Sequence, residues 1–169
     1  MQSLQAFNLR QWIDANRAQL RPPVGNKRVF RDGDFIIMVV GGPNARKDFH
    51  VDPGEEFFFQ LEGEMVLRTM QDGRAVEVPI RAGEVLLLPP QVPHSPQRPA
   101  NTVGLVVEQP RASNEEQHLR WYCKKCNAVV YDEAFLPADI GKQIKATIEK
   151  FNASAALRTC KVCGAVFAA

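Results

Sequence analysis

The sequence has no apolar stretch long enough to span a membrane, and its N-terminus has no basic segment followed by an apolar one. It also has almost no net charge, because its 21 basic and 19 acidic residues leave a formal charge of +2. The first absence argues against a transmembrane helix and a secretion signal, and the second against a nucleic-acid or acidic-membrane partner. We therefore expect a cytoplasmic protein that binds neither nucleic acid nor membranes.

Cysteine is absent from the chain before Cys123, and all four cysteines follow as two Cys-x2-Cys pairs: Cys123, Cys126, Cys160 and Cys163. Two disulfides are the alternative interpretation, but a protein without a secretion signal is expected in a reducing compartment. Paired Cys-x2-Cys knuckles are typical of a four-thiolate site for zinc or a single iron. We predict that the cysteines hold a structural Fe or Zn ion.

Histidine is scarce, with only three in 169 residues. His50 lies six residues before Glu56, with a Pro53-Gly54 turn signal between them, and His94 offers a second imidazole further along the chain. Two imidazoles and one carboxylate occupy one face of the metal in non-haem Fe(II) oxygenases and leave positions open for substrate and O2. The sequence thus suggests a small iron enzyme.

The pattern of apolar residues predicts a mostly β protein. Asn8 and Gln11 are placed to cap a short N-terminal helix that should end at Pro22-Pro23. From residue 28 to residue 108, short β-type runs alternate with turn signals, as in an antiparallel sandwich or barrel. Two of the runs, EFFFQL and EVLLLP, are apolar on both faces and should be buried on both.

The last third of the chain has a different character. Residues 109–120 are polar and contain Pro110, so we place a linker at 113–120, after a β domain with its N-terminal helix at 1–112. Residues 121–169 then form a small metal-binding extension, with a helix indicated by apolar residues at helical spacing: Ile140, Ile144, Ile148 and Phe151. So short a segment buries little core alone, and a bound metal would add stability.

Two segments of the chain resemble the motifs of cupins. His50, Glu56 and Gly63 fit the first cupin motif, and three later residues fit the second: Gly83, Pro89 and His94. Many cupins have a second histidine two residues after the first, whereas this chain has Asp52, which leaves three ligands instead of four. Glu55 is the alternative third ligand, but the spacing to Gly63 favours Glu56.

Five longer stretches are distinctive: PPVGNK, VVGGPNARKDFH, EEFFFQLEG, LLLPPQVPHSPQRP and RWYCKKC. Together they are similar to the 3-hydroxyanthranilate 3,4-dioxygenase family, and the likeness spans nearly the whole chain. The two cysteine pairs resemble the additional metal site of bacterial members of the family. The resemblance implies a cupin fold, a double-stranded β-helix or jelly-roll-like barrel, and a homodimer.

The family resemblance also implies a reaction and a set of site residues. Members convert 3-hydroxyanthranilate and O2 to 2-amino-3-carboxymuconate semialdehyde, the precursor of quinolinate. By position in the motifs, His50, Glu56 and His94 hold the catalytic Fe(II). Five further positions would bind substrate: Arg46 and Arg98 its carboxylate, Glu108 its polar substituents, and Asn26 and Pro96 nearby. Asp48 matches a motif position close to the pocket. Glu108 would also accept or relay the hydroxyl proton as a general base.

Two other functions remain open from the residues. One is a cupin dioxygenase for a different aminophenol- or catechol-type aromatic, and the other is a cupin that binds a metal or ligand without chemistry. The sequence also leaves open whether the product serves NAD biosynthesis or tryptophan degradation by the kynurenine route.

Overall fold

The computed structural model describes residues 5–22, 25–136 and 138–168. Pro23 and Val24, which belong to the PPVGNK stretch, lie outside the described residues. Two helices are present in the described part of the chain, α1 (Leu9–Asn16) and α2 (Ile140–Ala153). The strands are β1 (Asn26–Arg28), β2 (Ile36–Gly41), β3 (Asn44–Ala45), β4 (Phe49–Val51), β5 (Glu56–Glu62), β6 (Glu64–Gln71), β7 (Arg74–Arg81), β8 (Val85–Leu88), β9 (His94–Arg98), β10 (Val103–Glu108), β11 (Gln117–Tyr122) and β12 (Val129–Phe135).

Two antiparallel sheets form the body of the protein. The first has the strand order β1-β2-β10-β5-β8, and the second has the order β12-β11-β4-β9-β6-β7, with β3 paired to β9. Their inward-facing side chains form a common apolar core: Phe58, Met65, Leu67, Ile80, Leu88 and Val106. The mostly β architecture predicted from the alternating pattern is therefore confirmed.

The N-terminal helix α1 begins as predicted. The Asn8 side chain accepts a hydrogen bond from the backbone N–H of Gln11 at 3.0 Å, which satisfies one of the free donors of the first turn. The regular helix ends at Asn16 and continues as a 3-10 turn over Arg17–Leu20, just before Pro22. Ile13 packs in a second apolar cluster with Leu20, Val39 and Val103. Neither helix of the described residues is long and apolar enough to cross a membrane.

The segment expected to be a linker, 113–120, is partly sheet. Its last four residues belong to β11, which pairs with β4 on one side and β12 on the other. The reason is an alternating pattern in which Gln117, Leu119 and Trp121 are buried and the residues between them are half-buried. The first inward residue is a glutamine, so the sequence of this strand lacks the apolar alternation that would predict it. The bounds of the two proposed domains remain a prediction.

A separate small core joins β11 and β12 to the C-terminal segment. The ring of Trp121 stacks on that of Phe151 with centroids 4.3 Å apart, and Phe151 lies on the buried face of α2. Cys123 and Cys160 belong to the same cluster and are each 1% exposed. The predicted helix is thus present, and its apolar stripe packs against the sheet next to the cysteines.

The prediction that EVLLLP is buried on both faces is wrong for this chain. Val85 and Leu87 of β8 are 59% and 56% exposed, whereas Leu88 is buried in the core. Strand β8 lies at the edge of the first sheet. Val85 and Leu87 alternate with the core residues Leu86 and Leu88, and neither belongs to the core cluster or to the cluster around Ile13. An apolar strip therefore faces outward along this edge.

Candidate functional site

The register of the sheets brings three metal-ligating side chains together. His50 and His94 are directly opposite each other where β4 pairs with β9. Glu56 begins β5 in the other sheet and is paired across the ladder with Glu108 of β10. One ligand atom from each of His50, Glu56 and His94 lies within 4.8 Å of the others, and all three residues are buried. Residues 44 positions apart thus form one metal-binding His/Glu site.

The carboxylate of Glu56 fits a metal ligand. Its Oε1 atom is buried and has no hydrogen-bond partner, a costly arrangement for a carboxylate unless a cation lies beside it. The same atom lies 3.2 Å from His94 Nε2 and 3.7 Å from His50 Nδ1. Glu55, the alternative ligand, is exposed and is not part of this cluster. The donor set therefore fits a first-row metal bound through Glu56.

Second contacts orient the two imidazoles. His94 Nδ1 donates to the backbone carbonyl of Val92 at 3.0 Å, which leaves Nε2 free to face Glu56. The ring N–H at Nε2 of His50 donates to Gln117 Oε1 at 2.7 Å, which leaves Nδ1 free on the side of Glu56. Such outer contacts commonly fix the tautomer of a metal-binding histidine. Gln117 belongs to β11, so the segment taken for a linker supports this site.

The electrostatics of the three groups favour metal binding. Burial, together with the charge of His94, lowers the pKa of His50 to about 4, so His50 is neutral at pH 7. Burial opposes ionisation of Glu56, but His94 and His50 lower its pKa to about 2. Burial likewise disfavours a charged His94, but Glu56 raises the pKa of His94 above its ordinary value. A metal cation would displace that proton and take its place beside the carboxylate.

A cavity of about 140 Å³ opens next to the triad. It is lined by eight residues that the sequence placed in the site: Asn26, Arg46, His50, Glu56, His94, Pro96, Arg98 and Glu108. Asp48, which the motif placed close to the pocket, forms an ion pair with Arg46 instead of lining the cavity. Apolar side chains complete the wall: Met38, Val40, Phe58 and Val106. A space with a metal site, apolar walls and two guanidinium groups suits a small aromatic acid.

The two arginines of the cavity differ in their partners. Arg46 is half-buried and forms an ion pair with Asp48. Arg98 is 3% exposed and donates from Nη1 to Gln60 Oε1 at 3.0 Å, but its buried Nε has no partner. Burial alone lowers the pKa of Arg98 to about 10, still well above neutral pH. Arg98 therefore presents a buried positive charge to the cavity.

Glu108 is held in place by Arg111, for which the sequence predicted no role in the site. Arg111 lies 2.6 Å from Glu108 Oε2 and also forms an ion pair with Asp52. Burial, followed by the charge of Glu56, raises the pKa of Glu108 to about 7, although Arg111 opposes the shift. The spacing of Asp52 and Arg111 does not indicate this contact, because 59 positions separate the two residues and Arg111 lies in a polar segment.

The four cysteines form a second cluster. Their Sγ atoms lie within 4.8 Å of one another, with Cys123 and Cys163 at 3.5 Å and Cys126 and Cys160 at 3.7 Å. A disulfide needs sulfur atoms about 2.05 Å apart, whereas four thiolates about 2.3 Å from a central zinc lie about 3.8 Å from each other. All four cysteines are free thiols, and the arrangement fits a metal.

The two cysteine knuckles repeat the same backbone. The N–H of Cys123 donates to Ala128 O and the N–H of Cys160 donates to Ala165 O, both at 2.8 Å. Each loop closes through a residue with a positive φ, Asn127 at 58° and Gly164 at 72°. The backbone N–H of Lys125 lowers the pKa of Cys123 to about 6, which favours the thiolate that a metal requires.

Comparisons with known proteins agree with these features. The chain is 55% identical over 158 residues to a protein of Xanthomonas euvesicatoria pv. vesicatoria named 3-hydroxyanthranilate 3,4-dioxygenase, covering 94% of this chain and 89% of that protein. It is 45% identical over 163 residues to a Bacillus thuringiensis protein of the same name, covering 96% and 91%.

Solved structures show the likeness at the level of the fold. A crystal structure of a Neisseria meningitidis protein matches with a TM-score of 0.50 and 20% identity, over 63% of this chain and all of that chain. A cupin-2 domain protein from Shewanella frigidimarina has a TM-score of 0.47 and 16% identity, over 59% and 92%. The sequence profile of 3-hydroxyanthranilic acid dioxygenase matches residues 1–152. The chain belongs to this dioxygenase family.

Proposed function

We propose that this protein opens the ring of 3-hydroxyanthranilate with O2 to give 2-amino-3-carboxymuconate semialdehyde. The observation that carries the proposal is one cavity that contains a His-His-Glu site and a buried arginine, Arg98, which has no carboxylate partner among the described residues. The substrate has a carboxylate for the arginine and an adjacent amine and hydroxyl for the metal side. The names of the relatives, at 45–55% identity, support the same reaction.

We infer that Fe(II) is the catalytic metal, held by His50, Glu56 and His94. When bound there, iron supplies open coordination positions and the redox chemistry that lets O2 react with an electron-rich ring. The fit of the site rests on the orphaned Glu56 oxygen and the two oriented imidazoles. For the four-cysteine cluster we propose a second Fe or Zn ion with a structural role, since four thiolates leave no open position.

The cavity residues would fix the orientation of the substrate. Arg98 and Arg46 bind the carboxylate through charge-assisted, bidentate hydrogen bonds. Phe58 and Val106 pack against the ring and exclude water, while Asn26 and Pro96 line the same cavity. With the carboxylate anchored, the neighbouring amine and hydroxyl face the histidines, so the ring is held in one reactive pose.

Glu108 would accept the hydroxyl proton of the substrate. A carboxylate with a pKa raised to about 7 exchanges a proton readily near neutral pH. The ion pair with Arg111 fixes the position of the Glu108 carboxylate beside the cavity. Removing this proton makes the ring more electron-rich before O2 reacts.

Anaerobic loading followed by admission of air tests the reaction. The protein is loaded with Fe(II), mixed with 3-hydroxyanthranilate without oxygen, and then exposed to air while the absorption spectrum and the product mass are followed. We expect loss of the substrate and formation of the semialdehyde, which then cyclises to quinolinate. Turnover of another aminophenol or catechol alone would identify a different dioxygenase, and binding without turnover would identify a non-catalytic cupin.

We propose that the C-terminal unit, residues 121–169, depends on its metal for structure and takes no part in ring opening. Cys160→Ser should therefore lower the melting temperature and loosen this unit, because metal binding to such knuckles is coupled to folding. Protein that stays folded should keep its turnover per catalytic iron within a few-fold of the parent. Metal counting, thermal melting and turnover measure this.

Lys161→Ser is the matched control, since Lys161 is the exposed neighbour of Cys160 in the same knuckle. It should keep the full metal content and melt like the parent. If a folded, iron-loaded Cys160→Ser protein turned over a hundred times more slowly, the cysteine site would be coupled to catalysis.

We further propose a homodimer and a cytoplasmic location. The outward apolar strip on β8, with Val85 and Leu87 more than half exposed, supports burial against a second copy. Four free thiols support a reducing compartment. Sedimentation analysis of the parent and of Leu87→Lys tests the dimer, and a monomeric parent would rule it out.

A further inference from the structure

Arg98 is held in the cavity by a neutral group. Arg98 donates from Nη1 to the amide oxygen of Gln60, and burial is the only cause that shifts its pKa. Among the described residues, no carboxylate forms an ion pair with this guanidinium, whereas Arg46 pairs with one carboxylate and Arg111 with two. A buried cation normally has an anionic partner, because desolvating a lone charge is costly.

The orientation of the Gln60 amide is fixed by its other end. Gln60 is 1% exposed, and its Nε2 donates to the backbone carbonyl of Glu62 at 2.8 Å. Because the amide nitrogen is engaged there, the amide oxygen must face Arg98. Gln60 is therefore a preset hydrogen-bond acceptor for the guanidinium.

Gly104 lies directly against the hydrogen-bonded side chains of Arg98 and Gln60. It is paired with Gln60 across β10 and β5. A Cβ atom at Gly104 would lie 2.7 Å from Arg98 Nη1 and 2.9 Å from Gln60 Oε1, closer than such atoms can approach. A side chain at Gly104 would therefore displace the Arg98 guanidinium or the Gln60 amide from this contact.

We propose that Gln60 is a positioning and specificity residue for the substrate carboxylate. Its carboxamide orients Arg98 without neutralising it, so that the positive charge is left for an anionic substituent of the substrate. A glutamate at this position would form an internal ion pair with Arg98 and compete with the substrate. The inference rests on the proposed function, since it assumes that a carboxylate binds to Arg98.

The test compares Gln60→Glu and Gln60→Met on two substrates, 3-hydroxyanthranilate and 2-aminophenol, which lacks the carboxylate. For Gln60→Glu we expect kcat/KM on 3-hydroxyanthranilate to fall about tenfold or more, mainly through KM, because a buried charge pair is being supplanted. On 2-aminophenol kcat/KM should stay close to the parent. Gln60→Met removes the hydrogen-bond acceptor but leaves the charge of Arg98 unpaired. Its preference for 3-hydroxyanthranilate over 2-aminophenol should therefore fall less than that of Gln60→Glu.

Gln71→Glu is the matched control, because it makes the same charge change at an exposed position and should leave both substrates unaffected. Calorimetric binding of anthranilate to each variant gives a readout without turnover, and thermal melting verifies that each is folded. Equal losses on both substrates, or unchanged discrimination in Gln60→Glu, would overturn the proposal. A parent that does not turn over 3-hydroxyanthranilate would instead refute the proposed function.

Discussion

Replacing His50, Glu56 or His94 with alanine is expected to remove iron from the catalytic site and abolish ring cleavage. Two remaining ligands cannot hold an open ferrous site, and each replacement also empties a buried position that the other two groups face. The measurement is anaerobic reconstitution with Fe(II), followed by iron analysis and a turnover assay. Iron in the cysteine cluster is counted separately, for example in a Cys160→Ser background.

Glu55→Ala is the control for the carboxylate, since Glu55 is the exposed neighbour of Glu56. It should keep both iron and activity. Retained activity in Glu56→Ala together with loss in Glu55→Ala would move the ligand by one residue and contradict the geometry of the site.

Replacing Arg98 with leucine should weaken the enzyme through lost recognition of the carboxylate. Truncating one member of a buried charge pair costs roughly 2–5 kcal/mol, so kcat/KM on 3-hydroxyanthranilate should fall at least about tenfold. The loss should shrink on 2-aminophenol, which has no carboxylate to bind. Steady-state kinetics on both substrates measures the difference.

Arg74→Leu, at an exposed position, is the control for loss of a positive charge and should change neither substrate's kinetics. Equal losses of Arg98→Leu on both substrates would mean that Arg98 acts structurally, for instance by filling the space above Gly104. Equal losses would also contradict the positioning role proposed for Gln60, because that role requires Arg98 to bind the substrate carboxylate.

Much of the fold was predictable because apolar alternation and turn residues are local signals. Strands β5 to β8 and β10 follow clear apolar runs, and the Asn8 cap marked the start of α1. Strands β9 and β11 were missed, since β9 reads HSPQR and β11 begins with a buried glutamine. Both strands place polar side chains toward the cavity or the metal site. These inward polar residues break the apolar alternation by which a strand is predicted.

Only the part of the candidate site that lies within short sequence motifs could be predicted. His50, Glu56 and His94 stand in recognisable frames, and the structure brings them into one cluster. The network behind them was not readable, because Gln60 meets Arg98 through pairing between distant strands. The Asp52–Arg111 ion pair likewise joins residues 59 positions apart, which no local pattern could indicate.

Turnover under oxygen-18 labelled O2 tests the central claim most directly. Fe(II)-loaded protein is given 3-hydroxyanthranilate and labelled O2, and the quinolinate that forms is analysed by mass spectrometry. Ring opening inserts one oxygen atom into the new carboxylate and one into the aldehyde, and the aldehyde oxygen leaves as water on cyclisation. We predict quinolinate with one labelled oxygen atom in its new carboxylate; substrate that stays intact, or quinolinate without label, would contradict a dioxygenase at this site.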